Sequence, residues 1–247
     1  MLRSINELQN YVLEANDGEI GRCKDFLFDD LQWNIRYMVA DTRKWLPGRK
    51  VLISPQSLDK PDWLWKRFPV HLNKQRIKAS PPLETNEPVS RQYESRWAEY
   101  YELPQYWLGF GELGAIYNPM VPSAEEQESQ LKKNKTVAAG RLRSAQEVAG
   151  YHIQATDGEI GHVEDFYIDD QVWALNYIVV DTRNWLPGRK VLVSPQWASA
   201  VSWSERKVFF DLSREKIENS PEYNPAEPPD RKYEGLLYDY YGFPPYW

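Results

Sequence analysis

The sequence predicts a mainly β protein made of two small β-barrels in tandem, each followed by a short C-terminal helical tail. Three observations predict this fold class. The chain repeats itself at an offset of 140 residues, and within each copy short β-branched and aromatic runs alternate with turn signals. Aromatic residues make up 14% of the 247 residues, with eleven Trp. Large rings supply the buried apolar surface that a domain of this size needs.

The repeat defines the domain organisation. Residues 1–107 align with 141–247 without a gap, at about 47 identities in 107 positions, a period that indicates a duplicated domain rather than a solenoid. We therefore predict one domain at 1–107 and a second at 141–247. Residues 108–140 belong to neither copy and read as a linker, partly apolar at first and then polar and flexible.

The second copy shows the expected elements in order. The sequence Asp157-Gly158 lies between extended runs and predicts a hairpin. The next strand keeps its alternation only with a bulge near Glu164-Asp165. WALNYIVVDT, from Trp173, has few polar residues and predicts a central strand that is buried on both faces. Tight turns between such strands favour a barrel.

The remaining elements close each copy. RNWLPGRK predicts a loop with a type II turn at Pro187-Gly188, and KVLVSPQ predicts a strand that ends at Pro195. A further strand, SERKVFFDLS, precedes one helical turn capped by Ser213 and ended before Pro221. The tail reads RxYExxxxxYY in both copies and predicts a short helix that enlarges a marginal core.

The motif order resembles a known family. DGEIGxxxDFxxDDxxWxxxYxVxDT, followed by a loop and RKVLxSPQ, is similar to the PRC-barrel domain, and the similarity covers both copies. That domain forms the cytoplasmic part of the photosynthetic reaction-centre H subunit and the C-terminal half of a ribosome maturation factor. The ending Tyr240-Tyr241-Gly242, with Tyr246, looks like the H-subunit side. The resemblance implies tandem PRC-type barrels of the stand-alone bacterial kind.

The residues that could carry chemistry favour structure over catalysis. None of the three histidines, His71, His152 and His162, recurs in the other copy, so an imidazole is not part of the shared design. Cys23 aligns with Val163 and is expected to be a buried thiol. Six carboxylates do recur: Asp17/Asp157, Glu19/Glu159, Asp25/Asp165, Asp29/Asp169, Asp30/Asp170 and Asp41/Asp181. We expect turn chemistry from them, with a Ca²⁺ or Mg²⁺ site as the open alternative. No catalytic residue, cofactor or metal ligand is predicted.

The loop that is nearly identical in the two copies is the predicted partner-binding site. It carries Trp45 and Arg49 in copy 1, and Trp185 and Arg189 in copy 2, beside a Pro-Gly turn. Trp and Arg dominate binding hot spots, and a rigid turn presents them at low ordering cost. The alternative is that Trp covers the barrel while Arg pairs with Asp41 or Asp181.

We therefore expect a non-enzymatic scaffold or regulator that binds a protein or complex. Three alternatives stay open: an H-subunit-like accessory of a membrane photosynthetic or electron-transport complex, a ribosome- or RNA-associated factor, and a small-molecule binder or enzyme that uses the interdomain cleft. The net charge of −6 disfavours nucleic acid. With no secretion signal and no apolar run of roughly 18 residues, we expect a cytoplasmic protein without a transmembrane segment.

Overall fold

The protein is mainly β. The computed structural model describes residues 1–42, 45–47, 49–83, 89–108, 142–182 and 189–247. The strands are β1 Leu2–Ser4, β2 Val12–Ala15, β3 Gly18–Asp29, β4 Ile35–Asp41, β5 Lys50–Ile53, β6 Arg67–Val70, β7 Leu142–Ser144, β8 His152–Ala155, β9 Gly158–Asp169, β10 Ala174–Asp181, β11 Lys190–Val193, β12 Ala198–Ser202 and β13 Lys207–Phe210.

Helices are short and follow the strands. They are α1 Ile5–Leu8, α2 Lys74–Ala79, α3 Arg91–Tyr101, α4 Ala145–Val148, α5 Arg214–Glu218 and α6 Arg231–Tyr241, with 3-10 turns at Pro55–Ser57, Tyr106–Leu108 and Pro195–Trp197. The predicted Ser213 cap is confirmed, because its side chain accepts from Lys216 N. The predicted tail helices are confirmed as α3 and α6. Within the described residues, no helix is long and apolar enough to cross a membrane.

The strands form two sheets, and the predicted closed barrels are not confirmed. One sheet has the order β11-β10-β9-β8-β13-β12, with β1 paired to β9. The other has the order β5-β4-β3-β2-β6, with β7 paired to β3. In the described part of the chain, the first and last strands of each path do not pair with each other. The prediction assumed that each copy closes on itself, whereas β1 and β7 pair with the long strand of the opposite copy.

Local features of the predicted strands are confirmed. β10 lies between β9 and β11, and seven of its eight residues are buried. The β9–β10 register shifts between the pairs Val179↔Asp165 and Val180↔Val163, which makes Glu164 the extra residue of a bulge. The predicted hairpin forms, but its turn is Thr156-Asp157, one residue earlier than predicted, because Ala155 pairs with Gly158.

A glycine in each copy permits a close approach of two strands. A Cβ on Gly21 would lie 2.0 Å from Asp41 O, and a Cβ on Gly161 would lie 2.1 Å from Asp181 O. Both glycines have positive φ, at 135° and 159°. Only glycine can occupy this position, which accounts for the last Gly of the repeated DGEIG.

Two compact units make up the chain. The first contains Met1–Tyr11, Cys23–Met38 and Arg143–Trp247, and the second contains Val12–Arg22 and Val39–Leu142. The boundaries of these two units differ from those of the sequence copies. The assignment of 1–107 and 141–247 as separate barrel domains stays a prediction. The first unit takes segments from both sequence copies.

The N-terminal segment of copy 1 is anchored to β9 in the first unit. β1 pairs antiparallel with β9, with Leu2 opposite Asp169 and Ser4 opposite Tyr167. Ser4 Oγ donates a 2.5 Å hydrogen bond to Asp165 Oδ2 and accepts from Glu7 N at 3.1 Å, as the cap of α1. Asn6 N donates to Asp165 Oδ1 at 3.1 Å. One carboxylate therefore holds both the strand end and the following helical turn.

The N-terminal segment of copy 2 repeats this anchor in the same unit. Ser144 Oγ donates to Asp25 Oδ2 at 2.5 Å, and Gln146 N donates to Asp25 Oδ1 at 3.0 Å. Ser144 also accepts from Glu147 N and caps α4. Burial raises the pKa of the Asp25 carboxyl, and it raises the pKa of Asp165 in the same way.

Further reciprocal contacts accompany the two anchors. Arg143 Nε lies 3.1 Å from Asp30 Oδ2, and the matching Arg3 Nε lies 3.8 Å from Asp170 Oδ2. Between the copies, Ile35 N donates to Trp173 O at 2.7 Å and Leu175 N donates to Trp33 O at 2.8 Å. The rings of Phe28 and Phe166 pack with centroids 6.0 Å apart. The first unit thus has a core to which both copies contribute.

The serine anchors are expected to contribute strongly to stability. Ser4→Ala and Ser144→Ala should each lower the free energy of unfolding by about 1–3 kcal/mol, because a largely buried carboxylate loses a donor and a helical turn loses its cap. Urea denaturation measures the change. Ser199→Ala is the control, since this exposed hydroxyl makes only a 3.4 Å contact with Phe209 O, and it should stay within about 0.5 kcal/mol of wild type. Equal effects at all three positions would contradict the anchor.

The raised pKa of Asp25 predicts a pH dependence. A raised folded-state pKa contributes stability that is present below the unfolded value of about 3.9 and is lost as pH rises through the folded pKa. Asp25→Asn removes this dependence. The unfolding free energy of the variant should therefore rise relative to that of wild type as pH increases from about 4 to 7.

Asp157→Asn is the control of opposite sign. The backbone N–H of Arg214 lowers the pKa of Asp157, so its contribution is present above about 3.9 and is lost as pH falls. Urea titrations compare Asp25→Asn with wild type above about pH 4 and Asp157→Asn with wild type below about pH 4, and slopes of the same sign would contradict the assignment.

Candidate functional site

The repeated loop is held in place at its base by a buried threonine. Thr42 Oγ1 donates to Arg49 O at 3.0 Å, and Thr182 Oγ1 donates to Arg189 O at 2.8 Å. Both threonines are fully buried. In copy 1, the N–H groups of Trp45 and Leu46 also donate to Thr42 O, at 3.0 and 2.9 Å. In copy 1, these bonds tie Thr42 to Trp45, Leu46 and Arg49.

Trp45 has a fixed and partly exposed side chain. Its Nε1 donates a 2.5 Å hydrogen bond to Ile20 O, and the indole is half-buried. The bond fixes the ring orientation and leaves part of the ring in contact with solvent. Trp185, the matching predicted residue, lies outside the described residues.

Arg49 and Arg189 direct their guanidinium groups into the fold. Arg49 Nη1 donates to Lys78 O at 2.5 Å, and its Nη2 donates to Ser80 O. Arg189 Nη2 donates to Ser220 O at 2.7 Å. These carbonyls lie at the C-terminal ends of α2 and α5, where a cation is favoured. The structure thus brings Trp45 and Arg49 onto one turn, but uses the Arg49 donors to hold a helix end.

Most of the recurring carboxylates have structural partners. Asp17 accepts from Lys74 N at 2.9 Å and Asp157 accepts from Arg214 N at 2.8 Å, so each ties the first turn of α2 or α5 to a hairpin. Asp29 accepts from the N–H groups of Leu31 and Gln32 in the turn after β3. This is the predicted turn chemistry. Among the residues that the structure describes, no group of three or more His, Cys, Asp or Glu side chains could hold a metal ion.

Two of the three histidines, His152 and His162, are cross-strand partners on β8 and β9. His71 Nε2 is 3.4 Å from Asp59, and His152 Nδ1 is 2.7 Å from Glu159. Cys23 is buried, as predicted, and burial raises the pKa of its thiol well above the ordinary value. A raised pKa keeps the thiol protonated and poorly nucleophilic.

A buried glutamate in α6 binds side chains of the C-terminal tail. Glu234 is 3% exposed, and its Oε1 accepts from Tyr177 Oη at 2.9 Å and from Tyr246 Oη at 2.7 Å. Arg231 Nη1 lies 3.1 Å from Glu234 Oε2, and its guanidinium stacks over the Trp247 ring at 4.3 Å. Burial and Glu234 together raise the pKa of Tyr246 to about 12, so its hydroxyl stays a donor at neutral pH.

Copy 1 repeats this cluster. Glu94 is fully buried, accepts from Tyr106 Oη at 2.7 Å and lies 3.1 Å from Arg91 Nη1. Arg91 stacks over Trp107 at 4.3 Å. We call the two sets the tail clusters: Arg91, Glu94, Tyr106 and Trp107 in copy 1, and Arg231, Glu234, Tyr246 and Trp247 in copy 2. Each folds a Tyr-Trp ending back onto its own helix.

Sequence reasoning missed the tail clusters and one exposed turn. The repeated Arg-x-x-Glu spacing and the shared Tyr-Trp ending were the available signals for the clusters. The exposed turn carries Leu64 and Trp65, where copy 2 has Ser204 and Glu205. This difference between an apolar pair in copy 1 and a polar pair in copy 2 was the available signal that the turn is exposed.

No protein-family model matches the chain, and no curated protein matches it in a sequence search.

The tail cluster of copy 2 predicts a local effect. Tyr246→Phe removes a donor to a buried carboxylate, so the unfolding free energy should fall by about 0.5–1.5 kcal/mol. Hydrogen exchange at residues 243–247 should become faster. Tyr106→Phe is the matched variant and should speed exchange at residues 103–107 instead. Unchanged exchange in both tails would show that the glutamates do not hold them.

Proposed function

We propose that the chain is a non-enzymatic scaffold, built from two PRC-type barrel modules, that binds a protein or a protein complex. The repeated sequence motifs support the PRC-type assignment, and the mainly β fold is compatible with it. Among the recurring acids, Asp29 bonds a turn, Asp25 holds an anchor, and Asp17 and Asp157 bond helix starts. The proposal therefore rests on surface recognition.

The observation that carries the proposal is the preorganised Trp45. An indole that is fixed by its own N–H and is half-buried loses little conformational freedom when a partner covers the rest of it. Trp is also the residue type most often found at hot spots. Arg49 supports the turn from behind through its bonds to the end of α2.

A second candidate is an accessory that lies beside a membrane complex, in the manner of the H subunit. One observation favours it: Leu64 and Trp65 are exposed next to basic residues in copy 1. The RNA-binding and cleft-binding alternatives rest on the sequence alone. Each would be recognised by what the protein captures, whether RNA, a small molecule or a protein complex.

Affinity capture with the whole chain tests the proposal. Trp45→Ala should reduce the captured partner by about tenfold or more, in line with the loss of a hot-spot residue. Because the change also frees Ile20 O, circular dichroism and a thermal melt must show that the variant is folded. Trp45→Phe keeps an aromatic ring but loses the hydrogen bond, and it should give an intermediate result.

Leu236→Ala is the control for capture. Leu236 is 54% exposed and lies on α6, away from the loop in sequence. Its replacement should leave capture unchanged. If a folded Trp45→Ala variant captures the partner as well as wild type does, the loop is not the binding surface.

A further inference from the structure

Two histidines face each other across neighbouring strands of the first unit. His152 lies on β8 and His162 lies on β9, and the strand register makes them direct partners. His152 is exposed and His162 is half-buried, whereas the next residues along the two strands, Ile153 and Val163, are fully buried. Both histidines therefore lie on the outer side of this strand pair. We call His152 and His162 the histidine pair.

The histidine pair is of the non-hydrogen-bonded kind, in which opposite side chains approach most closely. His152 N donates to Arg206 O at 2.9 Å, so the main-chain polar groups of His152 point toward β13 and away from β9. The bond between β8 and β9 forms one pair further along, where Val163 N donates to Tyr151 O at 2.8 Å. In a non-hydrogen-bonded pair the Cα atoms are about 4.5 Å apart. Side chains that start this close can turn one nitrogen of each ring toward the same ion.

A carboxylate orients one ring of the pair. His152 Nδ1 lies 2.7 Å from Glu159 Oε1, and the two side chains are 48% and 39% exposed. Lys207 Nζ lies 3.8 Å from Glu159 Oε2 and holds the carboxylate from its other side. When Nδ1 donates its proton to a carboxylate, Nε2 keeps a lone pair that a metal ion can accept. His152 thus has the carboxylate partner that is typical of metal-binding histidines.

Copy 1 shows that the fold does not need histidines at these positions. The matching partners are Val12 and Arg22, in the same register. Val12 N donates to Lys66 O at 2.9 Å, just as His152 N donates to Arg206 O. Because the same strand pair forms with two side chains that do not bind metal ions, strand pairing does not account for the histidines of copy 2.

We propose that the histidine pair binds a divalent transition-metal ion through His152 and His162, with Glu159 as the residue that positions His152. Imidazole is a suitable ligand for Zn²⁺, Ni²⁺ and Cu²⁺, and of these Cu²⁺ binds most tightly to a given nitrogen site. Since no group of three or more His, Cys, Asp or Glu side chains among the described residues can hold a metal ion, water completes the coordination. This inference goes beyond the proposed protein-binding function and does not involve Trp45.

Calorimetric titration of the whole chain, without a histidine tag, tests the site. Zn²⁺, Ni²⁺ and Cu²⁺ should each bind in a step of one ion per chain, most tightly for Cu²⁺, and Mg²⁺ should not bind. Affinity should fall when pH is lowered from about 7.5 to about 5.5, because protons compete with the ion for the imidazole nitrogens. Wild-type protein that binds none of the three transition-metal ions would overturn the proposal.

Replacement by the residues of copy 1 assigns the ion to the histidine pair. His152→Val and His162→Arg introduce the side chains that copy 1 carries on the same strand pair, so circular dichroism should show wild-type folding. Each should lower Zn²⁺ affinity by more than tenfold, because even the loss of a residue that only orients a ligand costs about 10–100-fold. His162→Gln should show the same loss without an added charge. His71→Ala is the control and should bind like wild type, because His71 lies in copy 1 beside Asp59. Wild-type affinity in the folded His152 and His162 variants would refute the site.

The positioning role of Glu159 has its own test. Glu159→Ala should lower Zn²⁺ affinity by about tenfold. Glu159→Gln should recover part of this loss, because its amide oxygen can still accept a hydrogen bond from His152 Nδ1. Glu19→Ala changes the matching residue of copy 1 and should bind like wild type. Equal affinity in Glu159→Ala and wild type would show that the carboxylate does not position His152.

The bound ion should also stabilise the folded chain. Zn²⁺ should raise the thermal unfolding temperature of wild type, because the ion binds the two imidazoles where the folded strands bring them together. EDTA should reverse the increase, and His152→Val should show none. An increase of equal size in wild type and His152→Val would mean that the ion binds elsewhere, and the proposal would be wrong. Trp45→Ala should bind Zn²⁺ normally, so failure of the partner-binding loop and failure of the metal site are distinguishable.

Discussion

The first unit depends on two buried Asp–Ser pairs that join the sequence copies. Asp25 accepts hydrogen bonds from the Ser144 hydroxyl and the Gln146 main-chain N–H. Asp165 accepts the matching bonds from the Ser4 hydroxyl and the Asn6 main-chain N–H. Each carboxylate is largely out of water, and its raised pKa shows that burial outweighs the bonds it accepts. Removing either partner would leave a buried polar group without its hydrogen bond, so neither the Asp nor the Ser can be replaced alone without a loss of stability.

This reciprocity gives a physical reason for two short segments that are identical in the two copies. The Leu-Arg-Ser segment at the start of each copy contacts the Asp-Phe pair in the long strand of the other copy, so the same contact forms twice. A change on one side would have to be matched in the opposite copy. Exposed residues carry no such constraint. The same turn geometry carries Leu64-Trp65 in copy 1 and Ser204-Glu205 in copy 2, so the surfaces of the two copies have diverged there.

Local elements could be predicted from the sequence, because periodicity and turn residues determine them. The bulge at Glu164, the buried strand β10 and the Ser213 cap are examples. Strand partners could not be predicted, since two copies with the same edges offer equally good partners to β1 and β7. The same limit applies to Glu234, because its distance from Tyr246 depends on how the tail folds back. Exposure of Leu64 and Trp65 is likewise a tertiary property.

Cleavage of the covalent connection between the copies tests most directly whether their N-terminal segments are exchanged. A protease site inserted within residues 109–141 would allow the folded protein to be cut between the copies. If the N-terminal segments are exchanged, the two fragments stay together on size-exclusion chromatography at micromolar concentration and separate only on denaturation. Two fragments that elute apart as folded monomers would contradict the account, because each copy would then be complete on its own.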